Sequence, residues 1–270
     1  MRGTTERLVG AAIALVALSL PLVTGACAQP TDAAPGRGAD EAKPDKEPES
    51  ETASRSLVID FDQATQGVVA TGFGGLGAGR NPEPGQLDAD AWQVVGMSDG
   101  DRLFGEEAAV GDHARGLSEG GVSSGGLYAF QVQDGNVALG VQATATDFSP
   151  GSVVLRLPIE LYPSQRLTLG YTMWVRNDED RSSRWEVAYS LDGDLWSEPD
   201  LLPFTTEALA ADSPSWERFP FRLEGEIDYD EDAGDTGLFV RWSAVEHSGT
   251  GGRDEVAIDD IVVTLEPTRD

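Results

Sequence analysis

Cysteine is almost absent from this sequence, which holds one residue of that type, Cys27, among 270. A single cysteine cannot form an internal disulfide bond, so any folded domain must be stabilised by a hydrophobic core. Long apolar runs are also missing, because the longest, residues 8–23, is shorter than the ~20 residues that a membrane-spanning helix needs. The sequence therefore excludes a disulfide-rich scaffold and offers no ordinary transmembrane helix.

Positive charge is scarce throughout the chain. There are 47 acidic and 19 basic side chains, and the formal net charge is −28, of which residues 57–270 carry −26. Both lysines, Lys43 and Lys46, precede that region, so its permanent cations are all arginines. Such an acidic surface repels nucleic-acid phosphates and anionic headgroups, so we expect no nucleic-acid partner. It suits divalent cations, or simply solubility in salty surroundings.

Histidine is scarce as well, with only His113 and His247 in the chain. A catalytic zinc ion normally has several histidine or cysteine ligands, and a Ser-His-Asp triad needs a histidine beside its nucleophile. The two histidines are far apart in sequence, and the one cysteine lies near the N-terminus. We therefore predict no catalytic residue. Carboxylates are abundant, but abundance does not supply the separation across a cleft that paired-acid glycosidase chemistry needs.

The N-terminal residues have the layout of a secretory signal. Arg2 and Arg7 form a short basic region, the apolar run follows, and small residues precede Cys27. The run Val-Thr-Gly-Ala-Cys resembles a bacterial lipobox, with threonine where leucine is usual, and would make Cys27 a lipidated first residue. Alternatively, ordinary signal peptidase would cut after Ala28. We favour the lipoprotein, with a signal peptide over residues 1–27 and a lipid membrane as the partner of Cys27.

The next segment, residues 28–56, contains no Ile, Leu, Val, Met or aromatic residue. It cannot bury enough apolar surface to offset its chain entropy, so we predict a flexible linker rich in acids and proline. A lipid anchor followed by such a linker would hold a domain away from a membrane. The predicted domain occupies residues 57–266, with a short tail at 267–270, and the protein is expected to be exported and anchored at the cell envelope.

Alternation of apolar and polar residues dominates the rest of the sequence. Leu169, Tyr171 and Met173, for example, alternate with glycine and threonine, the period-two pattern of a half-buried strand. Apart from one short segment at 205–212, no window gives helical periodicity. Short strands with Gly- and Asp-rich turns predict an all-β fold, an antiparallel two-sheet jelly-roll sandwich. The predicted strands lie near residues 57–61, 68–71, 92–96, 127–132, 137–142, 152–158, 166–176, 184–191, 216–223, 237–244 and 255–265.

The last predicted strand changes phase within its length. Val256 and Ile258 point one way, but the apolar face resumes at Ile261, three residues later instead of two. Because a regular strand alternates strictly, we predict a β-bulge at Asp259-Asp260. The first predicted strand also carries acids, so we expect the two ends of the domain to lie side by side, with a structural Ca²⁺ ion between them. The candidate ligands are Asp60, Asp62, Asp259 and Asp260.

A second calcium hypothesis concerns the acidic loop at residues 228–235. Its first acids stand at every second position, a spacing that lets alternate side-chain oxygens converge on one hard cation. The loop departs from an EF-hand, because Ala233 stands where glycine is expected. A solvated acidic loop is the simpler interpretation. The candidate ligands are Asp228, Asp230, Asp232 and Asp235, and no other cofactor is predicted.

Three of the six tryptophans are candidates for stacking against a ligand. Trp174 is out of phase with the apolar face of its strand, whereas Trp196 and Trp216 flank loops. Exposed aromatic rings of this kind can bind sugars, but covered ones pack into a core or its rim. Both interpretations are open for all three residues.

Several motifs resemble a known kind of module. The segments LDADAWQVVGMSDG (87–100), GGVSSGGLYAF (120–130) and GTGGRDEVAIDDIVV (249–263) are similar to a secreted β-sandwich module of bacterial cell-surface proteins. The resemblance implies a jelly-roll fold of galactose-binding-like, MAM-like or concanavalin-like type, and it brings no catalytic residue with it. The segment YSLDGDLW (189–196) is similar to a turn of discoidin-like sugar-binding sandwiches, where it is structural.

We therefore predict a lipid-anchored recognition or adhesion module that is non-catalytic, with a glycan as the leading partner by analogy of fold. The competing hypotheses are a carbohydrate-active hydrolase or lyase that uses loop carboxylates, and a purely structural surface lipoprotein. A groove holding two close carboxylates of perturbed pKa would favour the enzyme.

Overall fold

The computed structural model describes residues 53–69, 71–159, 161–162, 164–177, 180–197, 203–206, 214–227 and 237–268. The predicted signal peptide, Cys27 and most of the predicted linker lie outside these residues, as do Asp228, Asp230, Asp232 and Asp235. The described residues form strands and one 3-10 turn, Gly111–His113. The strands are β1 (Arg55–Ile59), β2 (Phe73–Gly79), β3 (Gly85–Asp88), β4 (Trp92–Val95), β5 (Leu117–Ser118), β6 (Gly126–Gln133), β7 (Asn136–Gln142), β8 (Gly151–Leu157), β9 (Gln165–Arg176), β10 (Ser182–Ser190), β11 (Trp196–Ser197), β12 (Phe204–Thr205), β13 (Trp216–Ile227), β14 (Leu238–Ser248) and β15 (Glu255–Pro267).

The chain is an all-β sandwich of two main sheets, as predicted from the alternating pattern. The seven-stranded sheet has the order β13-β9-β15-β7-β6-β5, and β1 pairs with β15. The six-stranded sheet has the order β11-β10-β14-β8-β4, and β12 pairs with β10. The pairing is antiparallel except between β2 and β3, which form a small separate sheet, and between β5 and β6. No helix among the described residues is long and apolar enough to cross a membrane.

The core lies between the inward faces of the two sheets. Tyr171 and Met173 of β9 point inward from the seven-stranded sheet, and Val240 and Trp242 of β14 point inward from the other. The rings of Tyr171 and Trp242 meet edge to face across the sandwich, with centroids 5.6 Å apart. Because successive side chains of a strand alternate between faces, the residues between these core positions point outward and are available to form a site.

Strand β15 joins the two ends of the domain. One of its edges pairs with β9, while its other edge pairs first with β7 at Val256–Ile258 and then with β1 at Ile261–Leu265. The register shifts between these segments, and Asp260 has a φ of 51°, which confirms the predicted bulge. The ends of the domain lie side by side, also as predicted.

The Gly-rich region after β1 differs from expectation. We predicted a strand at 68–71, but Val68 forms only isolated bridges, and the strand follows at β2, in a segment that is mostly glycine. Gly77 of β2 has a φ of 81°, and a side chain there would collide with the carbonyl of Ala108. Glycine therefore lets two backbones approach closely. Because a strand made mostly of glycine has few side chains, it shows no alternation by which it could be predicted from the sequence.

Candidate functional site

The structure separates the three candidate tryptophans. Trp174 and Trp216 belong to the seven-stranded sheet, whereas Trp196 begins β11 of the six-stranded sheet. Trp174 is only 5% exposed, so of the two interpretations left open for its ring, packing against neighbouring side chains is the one that this structure shows. Trp216 is partly exposed, and its indole N–H donates to the carbonyl of Glu119 at 2.9 Å. Trp196 is also partly exposed, and it lies on the six-stranded sheet.

The loop at residues 119–125 explains why Trp174 is covered. It crosses the outer face of the seven-stranded sheet, where Trp174 packs in a small cluster with Tyr128 and Phe130. The carboxylate of Glu255 accepts the N–H groups of the loop residues Gly121 and Val122, at 2.8 and 2.6 Å. The chain therefore occupies this aromatic surface with its own backbone.

A row of side chains crosses the outer face of the six-stranded sheet. Trp196 of β11 lies opposite Ser190 of β10, Ser190 lies opposite Phe239 of β14, and Phe239 lies opposite Arg156 of β8. Residues that are directly opposite in antiparallel strands point to the same face, so these four side chains form one line across the strands. We call this line, together with Arg241 and Phe104, the aromatic row.

Arginines and rings alternate along the aromatic row. The guanidinium carbon of Arg241 lies 4.1 Å from the ring centroid of Trp196, and that of Arg156 lies 5.9 Å from the ring of Phe239. Phe104 packs against Phe239 with centroids 5.8 Å apart. The three rings are partly exposed and Arg156 is exposed. A planar guanidinium held by a ring still has N–H groups at its edge with which to donate hydrogen bonds.

The hairpin between β10 and β11 positions Trp196. The Oγ of Ser190 accepts the N–H of Gly193 at 2.8 Å, and the carboxylate of Asp192 accepts the N–H groups of Asp194 and Leu195, each at 2.8 Å. These hydrogen bonds, that from Leu195 first, hold the pKa of Asp192 below its ordinary value. The YSLDGDLW segment is thus a rigid turn that presents its tryptophan at one end of the aromatic row.

A groove of about 290 Å³ continues the aromatic row beyond Arg156. Arg156 lines this groove together with Gln66, Asp88 and Asp90. Gly237 adjoins it, and its Cβ position lies 3.6 Å from the ring of Phe239. The row and the groove are therefore continuous, and they combine apolar rings with hydrogen-bond donors and acceptors.

Sequence reasoning missed Phe239, Arg156, Phe104 and the two groove acids. A signal for Phe239 was present in the sequence, because Leu238, Val240 and Trp242 are apolar at every second position and Phe239 lies between two of them. Their alternation places Phe239 on the outer face of the same strand. No local pattern, however, indicates that Phe104 lies beside Phe239, more than a hundred residues away.

The four aspartates of the first calcium hypothesis do lie together, at the junction of β1 and β15, which we call the seam. Asp60 and Asp62 follow β1, Asp259 and Asp260 form the bulge of β15, and the Asp62 carboxylate accepts the N–H of Val137 at 2.6 Å. Asp260 accepts from the hydroxyl of Thr172 at 2.9 Å. Within the described residues, no three acid, histidine or cysteine side chains are grouped closely enough to hold a metal ion. Calcium binding at this seam stays a prediction.

Asp259 is the unusual acid of the seam. It is 1% exposed, and neither of its carboxylate oxygens forms a hydrogen bond of normal geometry within the described residues. Burial, helped by the charges of Asp260 and Asp60, raises the pKa of Asp259 to about 7, while Asn136 and the Asp260 backbone oppose the shift. The acid is enclosed beside the seam and does not line the groove.

Serine motifs do not create a nucleophile here. Three pentapeptides, at 96–100, 116–120 and 121–125, match the Gly-x-Ser-x-Gly pattern. That pattern activates serine at a strand-to-helix turn, whereas the described residues contain no α-helix. Ser98 instead donates to the carboxylate of Asp112 at 2.6 Å, and Nε2 of the buried His113 lies 2.9 Å from the carbonyl of Gly100. These contacts brace the loops.

Comparisons with known proteins give similarity to solved structures only. No protein-family model and no curated protein sequence matches the chain. The N-terminal cellulose-binding domain of a Cellulomonas fimi β-1,4-glucanase is 16% identical, with a TM-score of 0.33, and the match covers 68% of this chain and 95% of that one.

Two further solved structures are similar at the same level. The carbohydrate-binding module TmCBM27, described for specific mannan recognition, is 19% identical with a TM-score of 0.33, over 50% of this chain and 76% of the module. A cyclase from Fischerella sp. TAU is 14% identical with a TM-score of 0.33, over 55% of this chain and 73% of the cyclase. At such TM-scores and identities, these matches assign no ligand or activity to the chain.

The raised pKa of Asp259 predicts a pH-dependent cost to stability. The folded pKa of about 7 exceeds the ordinary 3.8, so the stabilising contribution of the neutral acid is complete below pH 3.8 and is lost as pH rises to about 7. Asp259→Asn removes this loss, and near pH 8 the variant should exceed the wild type in free energy of unfolding by about 2–4 kcal/mol. The free energies of unfolding of the two proteins should converge near pH 4.

Urea denaturation across this pH range measures the difference. Asp134→Asn, at an exposed position, is the control and should give the same dependence of unfolding free energy on pH as the wild type. A pH-independent difference would contradict the assignment.

Removal of divalent cations tests both calcium hypotheses. If Ca²⁺ is bound, EDTA should lower the Tm in differential scanning calorimetry, and added Ca²⁺ should restore it. If the ion lies at the seam, the double variant Asp62→Asn with Asp260→Asn should show no change in Tm between EDTA and Ca²⁺. If the ion lies in the acidic loop, the double variant Asp230→Asn with Asp232→Asn should show no such change. An identical melting curve in EDTA and in Ca²⁺ would rule out both sites.

Proposed function

We propose that this domain is a non-catalytic module that binds a glycan on the aromatic row of the six-stranded sheet. The observation that carries the proposal is the line of Trp196, Phe239 and Arg156 across four strands, which opens into a groove lined by polar side chains. A sugar ring has apolar C–H faces and a rim of hydroxyl groups. Aromatic rings cover the first, and arginine, glutamine and carboxylate groups bind the second.

The charge of the domain favours an uncharged glycan. Residues 57–270 carry a formal charge of −26, and this field repels uronic-acid or sulfated polymers at a distance. Asp88 and Asp90 in the groove add local repulsion of anions, while Arg156 beside them repels cations. A neutral polyhydroxylated chain is repelled by neither kind of charge, and its hydroxyl groups can form hydrogen bonds with both the donors and the acceptors of the groove.

An enzymatic role has less support from the same geometry. The acid whose pKa is raised to about 7, Asp259, is 1% exposed, so a glycosidic bond cannot reach it in this conformation. It also lies on the seven-stranded sheet, whereas the groove acids line the opposite side of the sandwich. The structure thus separates Asp259 from the groove, whereas a hydrolase or lyase would need an acid of raised pKa beside its ligand.

The location of the module is part of the proposal. The lipobox-like run before Cys27 favours an exported lipoprotein. The absence of Ile, Leu, Val, Met and aromatic residues from residues 28–56 favours a folded domain that is held on a tether. Such a tether lets the domain search for a polysaccharide near the envelope while it remains attached. Recognition or adhesion fits this arrangement better than a purely structural role, because an exposed aromatic row contributes little to stability.

Loss of either ring should weaken binding without unfolding the domain. We expect Phe239→Ala and Trp196→Ala each to raise the Kd for a bound polysaccharide about tenfold or more, because each ring is a stacking anchor. Affinity electrophoresis in gels containing hydroxyethylcellulose, glucomannan or xylan measures the effect. Trp216→Ala is the matched control on the opposite sheet and should bind as the wild type does.

The same assay tests ligand charge. Alginate and dextran sulfate should not retard the protein even at low salt, since the domain repels polyanions. Retardation by the polyanions alone, or by none of the polymers, would contradict the proposal. Equal losses in Trp216→Ala and Phe239→Ala would place binding elsewhere.

Mass spectrometry of the protein from its native envelope tests the anchor. We expect an N-terminal Cys27 carrying fatty acyl groups, and Cys27→Ser should shift the protein from the membrane fraction to the soluble fraction. A mature chain that begins at Gln29 without lipid would show that ordinary signal peptidase cuts instead.

A further inference from the structure

The loop at residues 102–107 separates the aromatic row from a second cavity. On one side of this loop Phe104 packs against Phe239. On the other side, the next residue, Gly105, lines an open pocket of about 530 Å³ together with Arg80, Arg102, Glu106 and Glu107. We call this cavity the Arg80 pocket. It is larger than the groove beside Arg156, and the aromatic row alone gives it no role.

The Arg80 pocket and the groove share a wall. The Cβ position of Gly105 lies 3.4 Å from Oδ1 of Asp90, a groove residue, and 3.7 Å from Nη2 of Arg80, a pocket residue. The N–H of Gly105 also donates to the carbonyl of Ala89 at 2.8 Å, which fixes the loop against this wall. A ligand that leaves the aromatic row past Arg156 therefore meets Asp90 first and Arg80 next.

The backbone holds the charged groups of the pocket in place. The guanidinium of Arg80 donates to the carbonyl of Gly105, and the carboxylate of Glu107 accepts the N–H of Arg80 at 3.3 Å. Glu106 accepts the N–H of Leu103 at 2.9 Å. A guanidinium has five N–H groups and a carboxylate several lone pairs, so each retains capacity for a ligand after these bonds.

The chemistry of the pocket selects against a simple ion. Its two arginines repel a cation, and its two glutamates repel an anion. A hydroxyl group, which both donates and accepts, satisfies guanidinium and carboxylate together. Vicinal hydroxyls on a pyranose ring supply several such groups at fixed spacing. The pocket therefore fits an uncharged sugar residue better than a phosphate, a metal ion or an apolar group.

We propose that the Arg80 pocket is a second subsite for the glycan that the aromatic row binds, so that the protein recognises an extended chain and not a terminal sugar. This inference rests on the proposed function. The row from Trp196 to Arg156 spans three inter-strand steps, about 14 Å, and the groove and the pocket lengthen the path further. The ligand class is a linear neutral oligosaccharide longer than a disaccharide.

Oligosaccharides of increasing length test the proposal. The probes are β-1,4-linked gluco-, manno- and xylo-oligosaccharides from the disaccharide to the hexasaccharide, with Kd measured by isothermal titration calorimetry. For the series that binds, affinity should rise beyond the disaccharide and level off when the pocket is filled. Arg80→Ala and Glu107→Gln should each weaken the hexasaccharide about fivefold or more and leave the shortest binding sugar unchanged.

Two variants serve as controls. Phe239→Ala should weaken every length, because all lengths must use the aromatic row. Arg222→Ala with Glu224→Gln removes a matched, exposed arginine–glutamate pair on the seven-stranded sheet and should change nothing. If Arg80→Ala lowers the Tm through loss of its bond to Gly105, Glu107→Gln decides the result, since its amide oxygen can still accept the Arg80 N–H.

The outcomes separate this inference from the proposed function. If no polysaccharide or oligosaccharide binds, the proposed function fails and this inference fails with it. If the polymer binds but affinity does not depend on length, or if Glu107→Gln weakens all lengths equally, the second subsite is overturned and the binding module stands. A length dependence that disappears in Glu107→Gln supports the subsite.

Discussion

Strand β15 must be paired on both edges while its buried face changes phase, and this constraint organises the seam of the sandwich. Val256 and Ile258 fill the core beside β7, and Ile261, Val263 and Leu265 fill it beside β1. The extra residue that reconciles the two segments is Asp260, whose φ of 51° is tolerated by aspartate better than by most residues. Asp259 is left enclosed with a raised pKa. The buried acid is therefore a consequence of joining the chain ends, and its position away from the groove agrees with a structural role.

The sequence predicted the strands well wherever burial alternates along the chain. Strands β9, β10 and β14 carry aliphatic or aromatic residues at every second position, and this local signal survives in the fold. Strand β2 was missed because glycine contributes no side chain to alternate, and its burial depends on distant neighbours such as Ala108. The bulge was predictable because a phase change within one strand is also a local property.

The candidate site was harder to predict because exposure is a long-range property. The phase of Trp174 correctly places it outside the core, but phase says nothing about the loop at 119–125 that covers it. Trp196 was recognised in its hairpin, whereas its partners Phe239 and Arg156 lie forty or more residues away in either direction along the chain. Only the register of four strands brings the row together. Among the residues that the structure describes, one sheet face is thus closed by the loop at 119–125, while Trp196 and Phe239 stay partly exposed on the other.

Arginine is the cation that makes an open aromatic face compatible with so acidic a domain. The guanidinium of Arg241 lies over the ring of Trp196, and that of Arg156 lies over the ring of Phe239. A planar guanidinium has five N–H donors and can lie flat on a ring, an arrangement that a lysine ammonium cannot reproduce. Because carboxylates stand nearby in the groove and in the Arg80 pocket, these donors do not add up to a positive patch. Donors and acceptors then alternate along one path with little net charge. Our proposal of an uncharged, hydroxyl-rich ligand rests on that local pairing together with the repulsion of anions by the whole domain.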